Sequence, residues 1–125
     1  MIKSNQKGAA MLKPKRTDVD LNSEEFKNEE EKTKKFVEKV VKQFGWCLNP
    51  NKEVYDAIVL GLTRNKLMYG KRYCPCFIPM GDKEDRICPC KPAIDHEVAE
   101  GCCHCGIFCN PNKCEEISKE LNENG

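Results

Sequence analysis

Hydrophobic residues recur with helical spacing near the amino terminus. The apolar positions there are Phe36, Val37, Val40, Val41 and Phe44. This spacing places them on one face of a helix, which must bury against another element. Asn22 with Glu25 predicts the start of this helix as a capping box, and Gly45 predicts its end. We therefore expect a first helix at about residues 23–44, with a charged and solvated first half from Glu24 to Lys35.

A second apolar stripe follows an Asn-Pro pair. Its positions are Val54, Ala57, Ile58, Gly61 and Leu62. Asn49 can accept a hydrogen bond from a free N–H of the first turn, and Pro50 has no N–H to leave unpaired. These features predict a second helix at about residues 50–65, ending near Asn65. Tyr69-Gly70 then predicts a turn toward the next segment.

Residues 74–109 show no sustained period, yet they contain eight of the ten cysteines. Such a segment is typical of chain wrapped around a metal centre rather than built on an apolar core. Asp95 to Glu100 predicts one helical turn inside it. Asn110-Pro111 repeats the cap of the second helix and predicts a last helix at about residues 111–122. The apolar face of that helix carries Cys114, Ile117 and Leu121.

Composition and charge narrow the class of protein. Charged residues make up 33% of the chain and hydrophobic residues 39%, so the core is small and needs a disulfide, a metal or a partner subunit to stabilise it. The net charge of +1 gives no indication of nucleic-acid binding. No run approaches the roughly 18 apolar residues of a membrane-spanning helix, so no contact with a membrane is expected.

The amino-terminal residues 1–22 lack periodicity, and five Lys or Arg residues precede Asp18. We expect a flexible basic tail that is solvated rather than bound to an acidic partner. The tail has no apolar stretch typical of a signal peptide. A plastid location would require it to be a transit peptide, which scarce Ser and a preference for Lys do not favour. We expect a cytoplasmic protein with reduced thiols, in which many cysteines indicate metal or redox chemistry.

Six of the ten cysteines form three Cys-x-Cys motifs. The first motif is Cys74-Pro75-Cys76, the second is Cys88-Pro89-Cys90, and the third is Cys103-His104-Cys105. Soft thiolates suit iron and sulfide, and a 4Fe–4S cluster takes four of them. Two thiols are then left for dithiol–disulfide chemistry. Structural zinc favours wider Cys-x2–4-Cys spacings, and the pair of Cys102 with Cys105 keeps zinc open.

The order Cys-Pro-Cys, Cys-Pro-Cys, Cys-His-Cys resembles the catalytic subunit of ferredoxin–thioredoxin reductases. The similarity extends over about residues 34–111 and includes Asn49-Pro50, Leu60-Gly61-Leu62, Asn65-Lys66, Tyr69-Gly70 and the run from Gly106 to Pro111. From the predicted helices and the cluster chemistry we expect a small, mainly α fold, with short helices wrapped around one 4Fe–4S cluster and little or no sheet. Residues 23–122 would form this single iron–sulfur catalytic domain, with residues 74–109 as its cluster-binding segment.

The resemblance also implies a division of labour among the six motif thiols. The cluster ligands would be Cys74, Cys88, Cys90 and Cys103. Cys76 and Cys105 would form the active-site disulfide, Cys76 attacking the target and Cys105 interacting with the cluster, while His104 would move protons. The implied activity takes electrons one at a time from a ferredoxin and reduces a disulfide of thioredoxin or a thioredoxin-like protein. The plant-type enzyme also has a small second subunit, which this sequence leaves open.

The sequence departs from the family pattern in several respects. Phe77 stands where an arginine often follows the first motif, and the spacing between motifs differs from the plant type. Four cysteines lie outside the motifs: Cys47, Cys102, Cys109 and Cys114. We interpret all of these except Cys102 as small buried hydrophobes, and we favour Cys103 over Cys102 as the last cluster ligand. A second metal site formed by Cys102, Cys109 and Cys114 is a weaker alternative.

Two other functions stay open on sequence grounds. A non-enzymatic electron carrier would need the cluster but no reducible Cys76–Cys105 bridge. A zinc-binding interaction module would use the basic residues 3–16 as a contact arm and would be colourless.

Overall fold

The computed structural model of this chain describes residues 11–124, so the first ten residues of the expected tail lie outside the described part. In chain order the elements are α1 (Glu24–Phe44), β1 (Cys47–Leu48), α2 (Lys52–Tyr69), a π-helical turn (Ala93–Glu97), α3 (Val98–Glu100), β2 (Phe108–Cys109) and α4 (Pro111–Asn124). Helices dominate the described residues, whose only sheet has two strands. The expected small, mainly α fold is confirmed. None of the described helices combines the length and apolar character that crossing a membrane requires.

Helix α1 begins one residue later than the capping box predicted. Ser23 is its N-cap, and its Oγ accepts a hydrogen bond from the backbone N–H of Phe26 at 3.1 Å. The prediction of Asn22 as the N-cap was therefore wrong. The carboxylate of Glu25 instead forms an ion pair with Arg16, whose Nη1 lies 2.6 Å away. Gly45 ends the helix at φ 72° in the left-handed region, as expected.

The packed faces of α1 and α2 form the core. Val37 and Val40 of α1 are buried, and Phe36, Val41 and Phe44 pack around them. The first half of α1 is less solvated than expected, because Phe26 is only 2% exposed and Thr33 is fully buried. Thr33 is buried without loss of hydrogen bonding, since Thr63 Oγ1 of α2 lies 3.0 Å from its Oγ1.

Helix α2 starts and ends later than the sequence predicted. Its N-cap is Asn51, whose Oδ1 accepts from the N–H groups of the first turn, rather than Asn49. The helix continues past Asn65 to Tyr69 because Gly70, at φ 86°, is the left-handed stop. Its buried face is also rotated. The buried residues are Val59, Leu62, Thr63 and Asn65, whereas Ala57, predicted on the buried face, is exposed.

The carboxyl-terminal half returns to the start of α2 through the small sheet. Strand β1 pairs antiparallel with β2, with Cys47 opposite Cys109 and Leu48 opposite Phe108. Helix α4 opens at Pro111, and Asn110 Oδ1 accepts from Lys113 N at 2.7 Å, as the Asn-Pro pair predicted. The turn expected within Asp95–Glu100 is part of the longer π-helical and α3 segment.

Four cysteines outside the motifs are paired as disulfides. Cys47 of β1 is bonded to Cys114 of α4, and Cys102 is bonded to Cys109 of β2. The interpretation of Cys47, Cys109 and Cys114 as unpaired hydrophobes was therefore wrong, although Cys109 is fully buried. The disulfides also leave no free thiols for the second metal site considered above.

The described part of the tail, residues 11–22, lies against the domain rather than free in solvent. Leu12 N donates to Pro79 O at 2.8 Å, and Lys15 N donates to Met68 O at 2.7 Å. These backbone hydrogen bonds tie the chain to the end of α2 and to the loop after the first motif. The described part of the tail therefore contacts the domain, and its flexibility stays a prediction.

Candidate functional site

The three Cys-x-Cys motifs converge on one small pocket. Its lining residues are Leu62, Cys74, Cys88, Cys90, Ala93, Cys103, His104, Cys105 and Phe108. All six motif cysteines are free thiols, and Cys76 is the exposed one. Cys76 does not line the pocket, so the structure separates one thiol at the surface from five around a mainly apolar cavity.

Backbone hydrogen bonds place the first and second motifs side by side. Cys74 N donates to Arg86 O at 2.7 Å, and Cys88 N donates to Arg72 O at 2.9 Å. Between them, Tyr73 and Ile87 form an isolated antiparallel bridge. The residues that precede the two motifs therefore run antiparallel, and this pairing brings Cys74 and Cys88 to the same wall of the pocket.

The third motif sits in a loop that the Cys102–Cys109 disulfide closes. Within the loop, Cys103 N donates to Phe108 O at 2.8 Å, and Phe108 N points back to Cys103 Sγ at 3.4 Å. Because Cys102 is bonded to Cys109 while Cys103 is free and faces the pocket, the arrangement supports Cys103 rather than Cys102 as the ligand from this motif.

The loop of the third motif is joined to the start of α2. Asn49 Nδ2 donates to Gly106 O at 2.9 Å, and Asn49 N donates to Ile107 O at 2.9 Å. Asn49 Oδ1 also accepts from Asn51 N at 2.8 Å. These bonds explain why Asn49 does not cap α2: its side chain fixes the third-motif loop against the helix start.

The thiols around the pocket differ in their readiness to ionise. The hydrogen bond from Cys105, whose Sγ is 3.7 Å from Cys103 Sγ, lowers the pKa of the Cys103 thiol to about 6. Cys105 likewise lowers the pKa of the Cys74 thiol to about 7. Its hydrogen bonds to Cys103 and Cys74 raise the pKa of Cys105 itself. Burial raises the pKa of the Cys88 and Cys90 thiols. Of the pocket thiols, Cys103 and Cys74 therefore ionise most readily.

Cys76 and His104 lie at the rim of the site. Partial desolvation and the neighbouring Cys74 thiolate raise the pKa of the Cys76 thiol. The exposed imidazole of His104 packs on the ring of Phe77, with ring centroids 4.7 Å apart. Phe77 directly follows Cys76, so the structure brings the predicted nucleophile and the predicted proton carrier to the same edge of the pocket.

The donor atoms around the pocket are of the type that iron–sulfur clusters use, since soft thiolates suit iron and sulfide and a 4Fe–4S cluster takes four of them. Within residues 11–124, no group of three or more His, Cys, Asp or Glu side chains is placed to hold a single metal ion. The residues that could hold a cluster are Cys74, Cys88, Cys90 and Cys103.

Comparison with known proteins agrees with this site. A family model for the ferredoxin thioredoxin reductase catalytic beta chain matches residues 23–124. The chain belongs to this family. The ferredoxin-thioredoxin reductase catalytic chain of Porphyra purpurea is 31% identical over 104 residues, which cover 78% of this chain and 82% of that protein. The protein of the same name from Pyropia yezoensis is 31% identical over 99 residues, covering 74% and 79%.

Membership of the ferredoxin–thioredoxin reductase catalytic chain family makes the chain an oxidoreductase and confirms the resemblance predicted from the motifs. Sequence reasoning nevertheless missed residues that shape the site. Arg86 and Glu97 form an ion pair of 2.9 Å beside the pocket, and the Cys102–Cys109 disulfide closes the third-motif loop. No local periodicity marks either pair. The Cys-x-Cys spacing of the third motif predicted the site, but nothing in the sequence predicted that Cys102 is bonded to Cys109.

Proposed function

We propose that the chain is a ferredoxin-dependent disulfide reductase whose target is thioredoxin or a thioredoxin-like protein. One 4Fe–4S cluster would be held by Cys74, Cys88, Cys90 and Cys103, and Cys76 with Cys105 would be the redox-active pair. The observation that carries the proposal is the separation of the six free thiols: Cys76 alone is exposed, while the other five line one pocket. The names of the family and of its relatives support the electron donor and the substrate.

When bound, the cluster supplies single electrons, and the protein side chains carry out the thiol–disulfide exchange and the proton transfers. The Cys76 thiolate attacks one sulfur of the target disulfide, which forms a mixed disulfide and releases the other target sulfur as a thiolate. Cys105 then attacks the Cys76 sulfur, which releases the second target thiol and leaves a Cys76–Cys105 disulfide. Two electrons from ferredoxin and two protons return this disulfide to the dithiol. His104, at the rim, would exchange protons with the reacting sulfurs.

The surroundings of Cys76 suit a protein substrate. Ile78, two residues after Cys76, is 62% exposed, so an apolar side chain near the exposed thiol is available to contact a partner protein. Cys105 is shielded in the pocket, so a protein disulfide reaches Cys76 first.

The test uses serine variants of the two kinds of thiol. Cys76→Ser should abolish ferredoxin-dependent disulfide reduction while its iron content and visible absorption stay close to those of the wild type. Cys90→Ser, the matched control, removes a buried ligand and should lose the cluster. Loss of iron from Cys76→Ser would show that the assignment of ligands and redox thiols is wrong.

Thiol counting separates this proposal from a plain electron carrier. The reductase should gain two titratable thiols on mild reduction of the oxidised enzyme, and Cys76→Ser should gain none. The two disulfides outside the motifs must be monitored by mass spectrometry in the same samples. A wild type that gains no thiols from the motifs contradicts a reductase and favours the carrier.

A further inference from the structure

Arg86 contacts the first motif through its backbone and the second motif through its side chain, at the edge of the pocket. Its guanidinium carbon lies 4.3 Å from the centroid of the Phe77 ring, directly after the first motif. Its Nη1 is 3.9 Å from Cys90 Sγ of the second motif. The backbone carbonyl of Arg86 also accepts the hydrogen bond from Cys74 N at 2.7 Å. A single residue thus contacts both motifs, with 21% of its side chain exposed.

Glu97 extends this connection to the third motif. Its Oε2 accepts from Arg86 Nη1 at 2.9 Å, and its Oε1 accepts from His104 N at 3.2 Å. The Glu97 side chain is 14% exposed, so the ion pair is largely withdrawn from solvent. The Phe77 ring contacts two residues of this network, the Arg86 guanidinium and the His104 imidazole.

We infer that Arg86 is a positioning residue that joins the three motifs and raises the reduction potential of the bound cluster, with Glu97 acting in the opposite direction. The inference rests on the proposed function, because the potential belongs to the cluster that the motif thiolates would hold. Arg86 acts through its contact with the Cys90 sulfur and its stacking on the Phe77 ring.

The sign of each effect follows from charge and distance. An added electron increases the negative charge of the cluster and its thiolates, and a nearby positive charge with a hydrogen bond to sulfur stabilises that state. Arg86 is the member of the pair that reaches the ligand sulfur, at 3.9 Å from Cys90 Sγ. The Glu97 carboxylate offsets part of this charge. Removing the guanidinium leaves an uncompensated carboxylate, while removing the carboxylate's charge leaves an uncompensated guanidinium.

The contacts of Arg86 also determine which of its roles a lysine at this position would keep. The planar guanidinium stacks on Phe77 and donates to Glu97 from one nitrogen at the same time. A lysine ammonium retains the charge, but it has no planar group to stack on an aromatic ring and no fixed set of paired N–H donors. Arg86→Lys should therefore keep most of the electrostatic effect and lose part of the positioning.

The test is a redox titration of the holoprotein, followed by visible absorption and electron paramagnetic resonance. Arg86→Met should lower the midpoint potential, Glu97→Gln should raise it, and Arg86→Lys should stay closer to the wild type than Arg86→Met does. The matched control is Arg64→Met, which removes the same charge from an exposed position of α2 and should leave the potential unchanged.

Opposite shifts separate an electrostatic role from general disorder, which would move both variants in the same direction. An unchanged potential in Arg86→Met and Glu97→Gln, or shifts of the same sign, would overturn the inference while leaving the proposed function intact. A wild type that holds no iron would instead refute the proposed function. Glu97→Gln keeps the size and most hydrogen bonds of the side chain, so it tests the sign even where Arg86→Met fails to fold.

Discussion

The two disulfides outside the motifs should contribute unequally to stability, because they close loops of very different length. Cys47 and Cys114 are 67 positions apart, and Cys102 and Cys109 are 7 positions apart. A disulfide stabilises the fold by restricting the unfolded chain, and the effect grows with loop length. It is about 4 kcal/mol for the Cys47–Cys114 loop and about 2 kcal/mol for the Cys102–Cys109 loop. Replacing each pair by alanines should therefore destabilise the protein, and the change should be larger for the Cys47–Cys114 pair.

Urea unfolding without reductant measures this difference. With a dependence on urea of about 1.5 kcal/mol/M, the loss of about 4 kcal/mol lowers the midpoint by roughly 2.7 M. The wild type treated with dithiothreitol is the control, since reduction should reproduce the combined loss. Peptide mapping of the oxidised protein must first show both bonds. The reasoning is refuted if removal of the short-loop pair costs as much as removal of the long-loop pair, or if neither variant is destabilised.

Two further substitutions test close contacts of the site. Gly61→Ala should destabilise the protein by roughly 1–2 kcal/mol in urea unfolding and weaken iron retention, because the added Cβ would lie 2.6 Å from Pro75 Cγ in the first motif and the overpacking exceeds the gain in helix propensity. Glu97→Gln should cost about 1–2 kcal/mol at pH 7, since it removes one partner of a mostly buried ion pair with Arg86, and this cost should shrink as the pH falls below about 4.5.

The pH dependence of the second substitution follows from the pKa of Glu97. Burial raises that pKa, but the hydrogen bonds from Arg86 and from His104 N outweigh burial and hold it below its ordinary value of 4.5. The carboxylate therefore contributes its stability above pH 4.5 and loses it as the pH falls through the folded-state pKa. Urea midpoints of the two proteins from pH 7 to pH 4, with iron measured in each sample, check this. A difference that stays constant over that range contradicts the ion pair.

The control for Gly61→Ala is Arg64→Ala at an exposed position of the same helix, where alanine meets no close contact. This variant should match the wild type or exceed it slightly in stability. Equal stability of Gly61→Ala and Arg64→Ala would show that the Pro75 ring can move away from α2.

Helix positions were predictable from the sequence, whereas helix ends depended on contacts that no local pattern shows. Asn49 and Asn51 flank Pro50, and either could cap α2 by residue type. Asn51 is the cap because Asn49 is engaged with the carbonyl of Gly106, 57 positions away. Asn65 is similar: the sequence predicts it as the end of α2, but the helix continues past it and its Nδ2 donates to Tyr73 O at 2.8 Å.

In the candidate site, too, features set by neighbouring residues could be predicted from the sequence, whereas contacts between distant residues could not. The spacing of the motif thiols is local, so their common role could be predicted before the fold was known. The partners of Cys47 and Cys102 could not, because burial alone does not distinguish a paired cysteine from a small hydrophobe. Arg86 was also missed, since its role arises from Glu97, 11 positions along the chain, and from a ring stacked against its guanidinium.

The central claim, that four motif thiols hold one cluster, is tested most directly by metal analysis of protein purified without oxygen. Iron and acid-labile sulfide should each be present at about four atoms per chain, in a brown protein that contains no stoichiometric zinc. About eight irons per chain would contradict the single cluster. A colourless protein with one zinc and no iron would contradict both the cluster and the reductase.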